Sequence, residues 1–129
     1  MQDNPHYPRG VIAEVTSFFE RQLEEAVAAG VSRQRLLLDP GFGFGKTPAQ
    51  NLQLLAELQA FQRFGLPLLV GLSRKSFLTM GRPDIAPSDR DALTAASLAV
   101  AIQNGAAIVR VHNVAQLMPV VRFLDSFDR

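Results

Sequence analysis

The 129-residue chain predicts an α/β fold built on parallel strands. Three observations carry that expectation. Apolar runs at 36–38, 66–72 and 106–111 are short and nearly continuous, as suits strands packed on both faces. The segments around them place apolar residues at helical spacing. Connections are short, so the order is α-β-α-β-α-β-α, and that alternation implies a parallel sheet with right-handed crossovers. Three parallel strands do not easily close a core. A (β/α) barrel needs eight such units and about 250 residues, so the chain reads as half of a larger architecture.

Taken in order, residues 1–9 carry Pro5, His6 and Pro8 and read as loop. From 10 to 29, Val11, Val15, Phe18, Phe19, Leu23 and Val27 trace one helical face, and Gly30 supplies a left-handed stop. The strand at 36–38 ends at Asp39, because Pro40 cannot donate to a ladder. Gly41, Gly43 and Gly45 follow and free the backbone for close approach to a ligand. Thr47 before Pro48 is a good N-cap with proline at the first helical position. That second helix runs to Gly65 through Leu52, Leu55, Leu58 and Phe61. The strand at 66–72 leads into Ser73-Arg74-Lys75-Ser76, and 79–88 is a loop. A helix over 88–104 is capped by Ser88 and stopped near Gly105. The strand at 106–111 carries Arg110 and ends at His112, and a last helix spans 114–127 with Pro119 as an irregularity.

Bulk composition narrows the function classes. A net charge of +1 and 47% hydrophobic residues give no electrostatic reason to expect a nucleic acid or an anionic membrane as partner. No apolar run reaches the roughly 18 residues of a membrane span, and the N-terminus lacks the regions of a signal peptide. The absence of cysteine excludes disulfides and thiolate metal sites and fits a cytoplasmic location.

Polar residues gather after each strand: Asp39; then Ser73, Lys75 and Ser76; then Arg110 and His112. In parallel α/β folds ligands bind at the carboxyl ends of strands, so these groups are expected on one face. Taken singly, each has a bland reading: a turn former, a solvated charge, a packed histidine. Their coincidence at one edge favours function. The Gly45-Lys46-Thr47 run imitates a phosphate loop, but that motif needs four residues before its Gly-Lys pair, which would place its first glycine at Pro40. Of Phe42 and Phe44, one is expected in the core and the other against ligand. A carboxylate can accept paired hydrogen bonds from an amino-pyrimidinone edge, Lys75 can donate to a ring carbonyl or nitrogen, and Arg110 with His112 can hold a phosphate. The ligand that fits is a planar, nitrogen-rich ring bearing a phosphate or pyrophosphate.

Asp-Pro-Gly-Phe-Gly-Phe-Gly-Lys at 39–46, Gly-Leu-Ser-Arg-Lys-Ser at 71–76 and Arg-Val-His at 110–112 closely resemble dihydropteroate synthase in order and spacing. The resemblance runs the length of the chain and implies an α/β fold of the parallel (β/α)8 TIM-barrel family. Residues 1–129 would form the C-terminal three β/α units of a pterin-binding domain, from after strand five to helix eight, with Met1-Gln2 ending the fifth strand's motif. It implies a folate-pathway transferase that joins 6-hydroxymethyl-7,8-dihydropterin pyrophosphate to p-aminobenzoate. Carried over residue by residue, Asp39 and Lys75 hold the pterin beside the Gly71 backbone, and Ser73 belongs to the same substrate site. Arg110 stacks on the pterin and contacts pyrophosphate with His112. Phe44 and Ser76 line the p-aminobenzoate site, where sulfonamides also bind. Lys75, Arg110 and His112 are the catalytic candidates. Magnesium is implied as cofactor, its ligand falling in the N-terminal part outside this chain, and a homodimer is implied as the assembly. Asn113 stands where the family usually has Asp, Asp3 replaces a usual Gly, and Leu93 replaces a common Gly ahead of the expected small hydroxyl residue, Thr94. The expectation is an enzyme half that is weak or inactive alone; the alternative is a non-catalytic half-barrel that binds a complementary half or pterin only.

Overall fold

The structure, a computed structural model, describes residues 7–127. The expectations for Met1, Gln2 and Asp3 lie outside that range. Helices α1 (Val11–Ala28), α2 (Pro48–Ala56), α3 (Asp91–Gln103) and α4 (Val114–Asp125) and strands β1 (Leu68–Val70) and β2 (Ala106–Val109) follow in the order α1-α2-β1-α3-β2-α4. β1 and β2 are parallel, paired Leu68 to Ala106, Leu69 to Ile108 and Val70 to Val109. The register shift between the first two pairs leaves Ala107 as an extra residue on β2. Arg110 extends the ladder by donating its N–H to the Val70 carbonyl at 2.9 Å. On the other side of β1, Leu38 makes a single parallel bridge to Leu68.

The first predicted strand is thus reduced to one bridged residue, and it is not buried on both faces. Leu38 is 4% exposed but Leu37 is 46% exposed. Side chains alternate across a sheet, and only one face is covered among the described residues. Leu38, Leu68, Val70 and Ala106 point into the core, whereas Leu37 and Ile108 lie open on the other face. The other two strands are also shorter than 66–72 and 106–111.

The helices pack in succession, α1 on α2, α2 on α3 and α3 on α4, with α3 also against β2. α1 buries Val11, Val15, Phe19 and Leu23, one residue per turn, while Phe18 and Val27 on its flank stay exposed. Phe19 meets Phe61 edge to face at 5.4 Å, and Phe61 is fully buried. Gly30 ends the helix at φ 91°, as expected of a left-handed stop.

The second helix departs from the α-helix expected through to Gly65. It begins as predicted, with Thr47 and Gln50 closing a reciprocal capping box ahead of Pro48. After Ala56 the chain becomes a 3-10 helix, Leu58–Phe64, which Gly65 ends in the left-handed region. The apolar residues explain the change. Leu58, Phe61 and Phe64 recur every third position, and a 3-10 turn keeps such residues on one edge, where an α-helix would rotate them out of line. The third helix also starts later than Ser88. A short 3-10 turn, Pro87–Arg90, precedes Asp91, and the Ser88 hydroxyl meets Asp89 instead of capping.

Candidate functional site

The glycine loop after Leu38 is held from within. Asp39 Oδ1 accepts the Gly41 N–H at 2.9 Å, an Asx turn that engages one carboxylate oxygen. Lys46 turns back, its Nζ donating to the carbonyls of Gly41 at 3.0 Å and Phe44 at 3.2 Å. Burial pushes the Lys46 ammonium below the ordinary lysine range, and Asp39 partly restores it. A lysine spent on its own loop is not available to a phosphate, which disposes of the nucleotide-loop reading. Asn51, 1% exposed in α2, accepts the Gly43 N–H at 2.7 Å and donates to the carbonyls of Lys46 and Thr47. Tyr7 donates its hydroxyl to the Gly45 carbonyl at 2.8 Å.

This frame decides the fates of the two phenylalanines. Phe42 is 1% exposed and stacks on Phe77, while Phe44 is 63% exposed. The Lys75 ammonium sits 3.8 Å from the centre of the Phe44 ring, a cation–π contact. Gly43 makes room for it: a Cβ there would lie 2.9 Å from Lys75 Cδ, and the residue has φ 76°. Burial pushes the Lys75 amine down from its ordinary value; Arg110 adds to the shift and Asp39 opposes it.

Across the strand ends, Arg110 covers Gly71, where a Cβ would meet Nη2 at 2.8 Å. Ser73, 5% exposed, places its Oγ 2.9 Å from His112 Nδ1 and accepts the His112 N–H at 3.2 Å. This contact engages the Nδ1 side of the imidazole and orients the ring from behind. Phe44, Gly71, Ser73, Lys75, Arg110, Val111 and His112 line a cavity of about 390 Å³. Six of the eight residues expected at the site therefore meet in one place.

Asp39 and Ser76 are not on that wall. Asp39 borders a neighbouring cleft of about 440 Å³ with Tyr7, Arg9 and Lys46, although its charge still reaches Lys75. Ser76 is exposed and opens the 3-10 turn Ser76–Thr79, its carbonyl accepting from the Thr79 hydroxyl. Sequence reasoning missed Tyr7, Asn51 and Asp91, and it noted Lys46 and Thr94 without their parts in holding the loops. Asn51 and Thr94 had a usable signal, since each is a polar residue on the apolar side of its helix.

The wall is cationic and ring-faced. It suits a pyrophosphate beside a flat heterocycle. These features define the class: a parallel α/β unit with a cationic, ring-faced cavity at the carboxyl ends of its strands. The chain belongs to the pterin-binding enzyme family, whose model matches residues 1–112. Among curated relatives it is 42% identical to dihydropteroate synthase of Escherichia coli K12, over 98% of this chain and 44% of the relative. Solved structures agree. Yersinia pestis dihydropteroate synthase with a sulfonamide drug complex superposes with TM-score 0.91 at 40% identity, over 97% of this chain and 45% of that one. The Xanthomonas albilineans enzyme in complex with 7,8-dihydropteroate gives 0.88 at 39% identity, over 96% of this chain and 48% of that one. The chain thus shares the fold of part of the dihydropteroate synthase barrel and spans less than half the length of the curated relatives it matches.

Proposed function

We propose that this chain is the C-terminal part of a dihydropteroate synthase, covering the last three β/α units, and that it binds the pterin pyrophosphate at the cavity described. The observation that carries the reading is the convergence of Lys75, Arg110 and His112, with Ser73 behind His112, on one cavity of about 390 Å³. The reaction breaks the bond between the pterin methylene carbon and pyrophosphate. It forms a bond from that carbon to the amine of p-aminobenzoate, which gives up a proton. Arg110 and His112 hold the departing pyrophosphate and stabilise its charge. Lys75 donates to the pterin ring, and Asp39 approaches the ring from the adjoining cleft. Phe44 and Ser76 flank the p-aminobenzoate position, where a sulfonamide would compete, and holding the amine there supplies the remaining acceleration.

Magnesium, implied by the resemblance with its ligand in the N-terminal part outside this chain, is not suited to the wall residues here. The wall carries cations, whereas magnesium favours carboxylate and other oxygen ligands. Among the described residues no group of three or more His, Cys, Asp or Glu converges. Each step above therefore uses only the chain's own side chains. The proposal includes a homodimer and a cytoplasmic location, both taken from the sequence reading.

The test is pyrophosphate release from the pterin pyrophosphate by the purified chain, with and without p-aminobenzoate, together with direct binding of inorganic pyrophosphate. The expected result is little or no turnover, with pyrophosphate binding that Arg110→Ala weakens about tenfold, as loss of one charged hydrogen bond implies. Absence of any pyrophosphate binding overturns the reading. A second reading, a half-barrel completed by other strands, is favoured by the open sheet face of Leu37 and Ile108. Under it, adding a separately made N-terminal part of dihydropteroate synthase restores release.

A further inference from the structure

Between Ser73 and Lys75 stands Arg74, whose backbone occupies the left-handed region at φ 60°. A non-glycine residue is strained in that conformation, so something must hold it there. The first turn of α3 and the residue before it grip Arg74 at its backbone N–H, its carbonyl and its guanidinium. Its N–H donates to Thr94 Oγ1 at 3.0 Å, and its carbonyl accepts from Arg90 Nη1 at 3.0 Å. Its guanidinium pairs with both oxygens of Asp91, at 2.8 and 2.9 Å. Thr94 is fully buried, and its hydroxyl proton goes to the Arg90 carbonyl at 2.9 Å, which leaves Oγ1 as an acceptor for Arg74. The Arg74 guanidinium holds the Asp91 carboxyl below the usual carboxylate range, so the pair is charged at neutral pH.

We propose that Thr94 and Asp91, which touch no ligand, are positioning residues: they lock Arg74 in the left-handed turn that points Ser73 at His112 and Lys75 at Phe44. A single residue in that conformation reverses the local direction of the chain. Ser73 can then stay buried under His112 while Lys75, two residues on, crosses the cavity mouth. With Arg74 released to an ordinary extended or helical conformation, the two side chains no longer meet at one wall. Lys75 then leaves the place where burial and Arg110 depress its amine and where Asp39 faces it. The inference rests on the reading of the cavity as a pyrophosphate site for its consequence, but not for its geometry.

The experiment compares the full chain with Thr94→Val, which keeps shape and loses the hydroxyl, and Thr94→Ser, which restores it. Two readouts are taken: the titration midpoint of the Lys75 amine, by NMR of lysine labelled at Cε, and binding of inorganic pyrophosphate. In Thr94→Val the midpoint rises toward the ordinary lysine value and pyrophosphate binding weakens about tenfold, while Thr94→Ser keeps both near wild type. The proposal is overturned if Thr94→Val unfolds cooperatively, showing it is folded, and leaves the midpoint where it was, or if Thr94→Ser moves it as far. Should Thr94→Val not fold, Asp91→Asn is read in the same way: an unmoved midpoint overturns the proposal, and a raised one supports it. A wild-type chain that binds no pyrophosphate defeats the proposed function, whereas the Lys75 midpoint still decides the lock.

Discussion

Two glycines at the cavity owe their identity to a neighbour's side chain. Gly71 has an ordinary backbone, yet a methyl there would sit 2.8 Å from the Arg110 guanidinium. Because the obstructing atom is the end of a flexible side chain, Gly71→Ala should change stability by under about 1 kcal/mol. It should nevertheless swing Arg110 aside and weaken inorganic pyrophosphate binding severalfold, which titration calorimetry checks. Gly43→Ala faces both φ 76° and the Lys75 stem, so a stability loss of roughly 1–2 kcal/mol is expected in urea unfolding. Lys75 also predicts a pH dependence. Its amine is held below the ordinary value by burial and Arg110, so its charge is lost at lower pH than for a solvated lysine. Affinity for the pterin pyrophosphate should therefore fall as pH rises through that lowered midpoint, and Lys75→Arg should move the fall to higher pH.

Each strand-end loop is fastened by the helix that follows it. α2 fastens the glycine loop through Asn51, a buried amide with its oxygen and nitrogen both engaged by loop backbone. Replacing it with Leu leaves buried backbone groups unpaired, at about 1–3 kcal/mol. The expected signature is a lower urea midpoint together with loss of the Lys75–Phe44 contact, seen as a change in Phe44 ring shifts. α3 fastens the second loop through Arg74 and Asp91. The Asp91 carboxyl is depressed in the folded chain, so its contribution is present above the ordinary carboxylate range and is lost as pH falls through the folded value. Asp91→Asn should lower stability at neutral pH and flatten its decline in acid, measured by thermal unfolding across pH. At α4, Asn113 caps the helix by accepting the Gln116 N–H at 3.1 Å and turns its amide toward Asp91, with 3.5 Å between Nδ2 and Oδ2. A carboxylate at that position would face a second one, whereas the amide offers a donor.

At the scale of the molecule, the sheet is covered by helices on one face and open on the other among the described residues. Leu37 and Ile108 lie on the open face, 46% and 41% exposed; Val114 and Phe123 are exposed along α4, and Phe127 just beyond its end. Apolar surface of this kind drives association. The chain alone should sediment with concentration-dependent mass, and Leu37→Gln with Ile108→Gln should reduce that without lowering the thermal midpoint. No helix among the described residues is long and apolar enough to cross a membrane.

What could be read from the sequence by itself follows from local chemistry. The alternation of helix and strand, the Thr47 cap, the Gly30 and Gly65 stops and the placement of Lys75, Arg110 and His112 at strand ends all depend on residues close together in the chain. The three motifs also pointed to the family that the comparisons show. What only the tertiary structure decided depends on residues far apart. Which of Phe42 and Phe44 is buried depends on Phe77 and Lys75 arriving from the next strand. That Lys46 serves its own loop, that Asp39 opens on a neighbouring cleft, and that Thr94 controls Arg74 across twenty residues are outcomes of packing. Short-range patterns choose backbone conformation, but the burial and pairing of a polar side chain are set by whatever the fold brings against it.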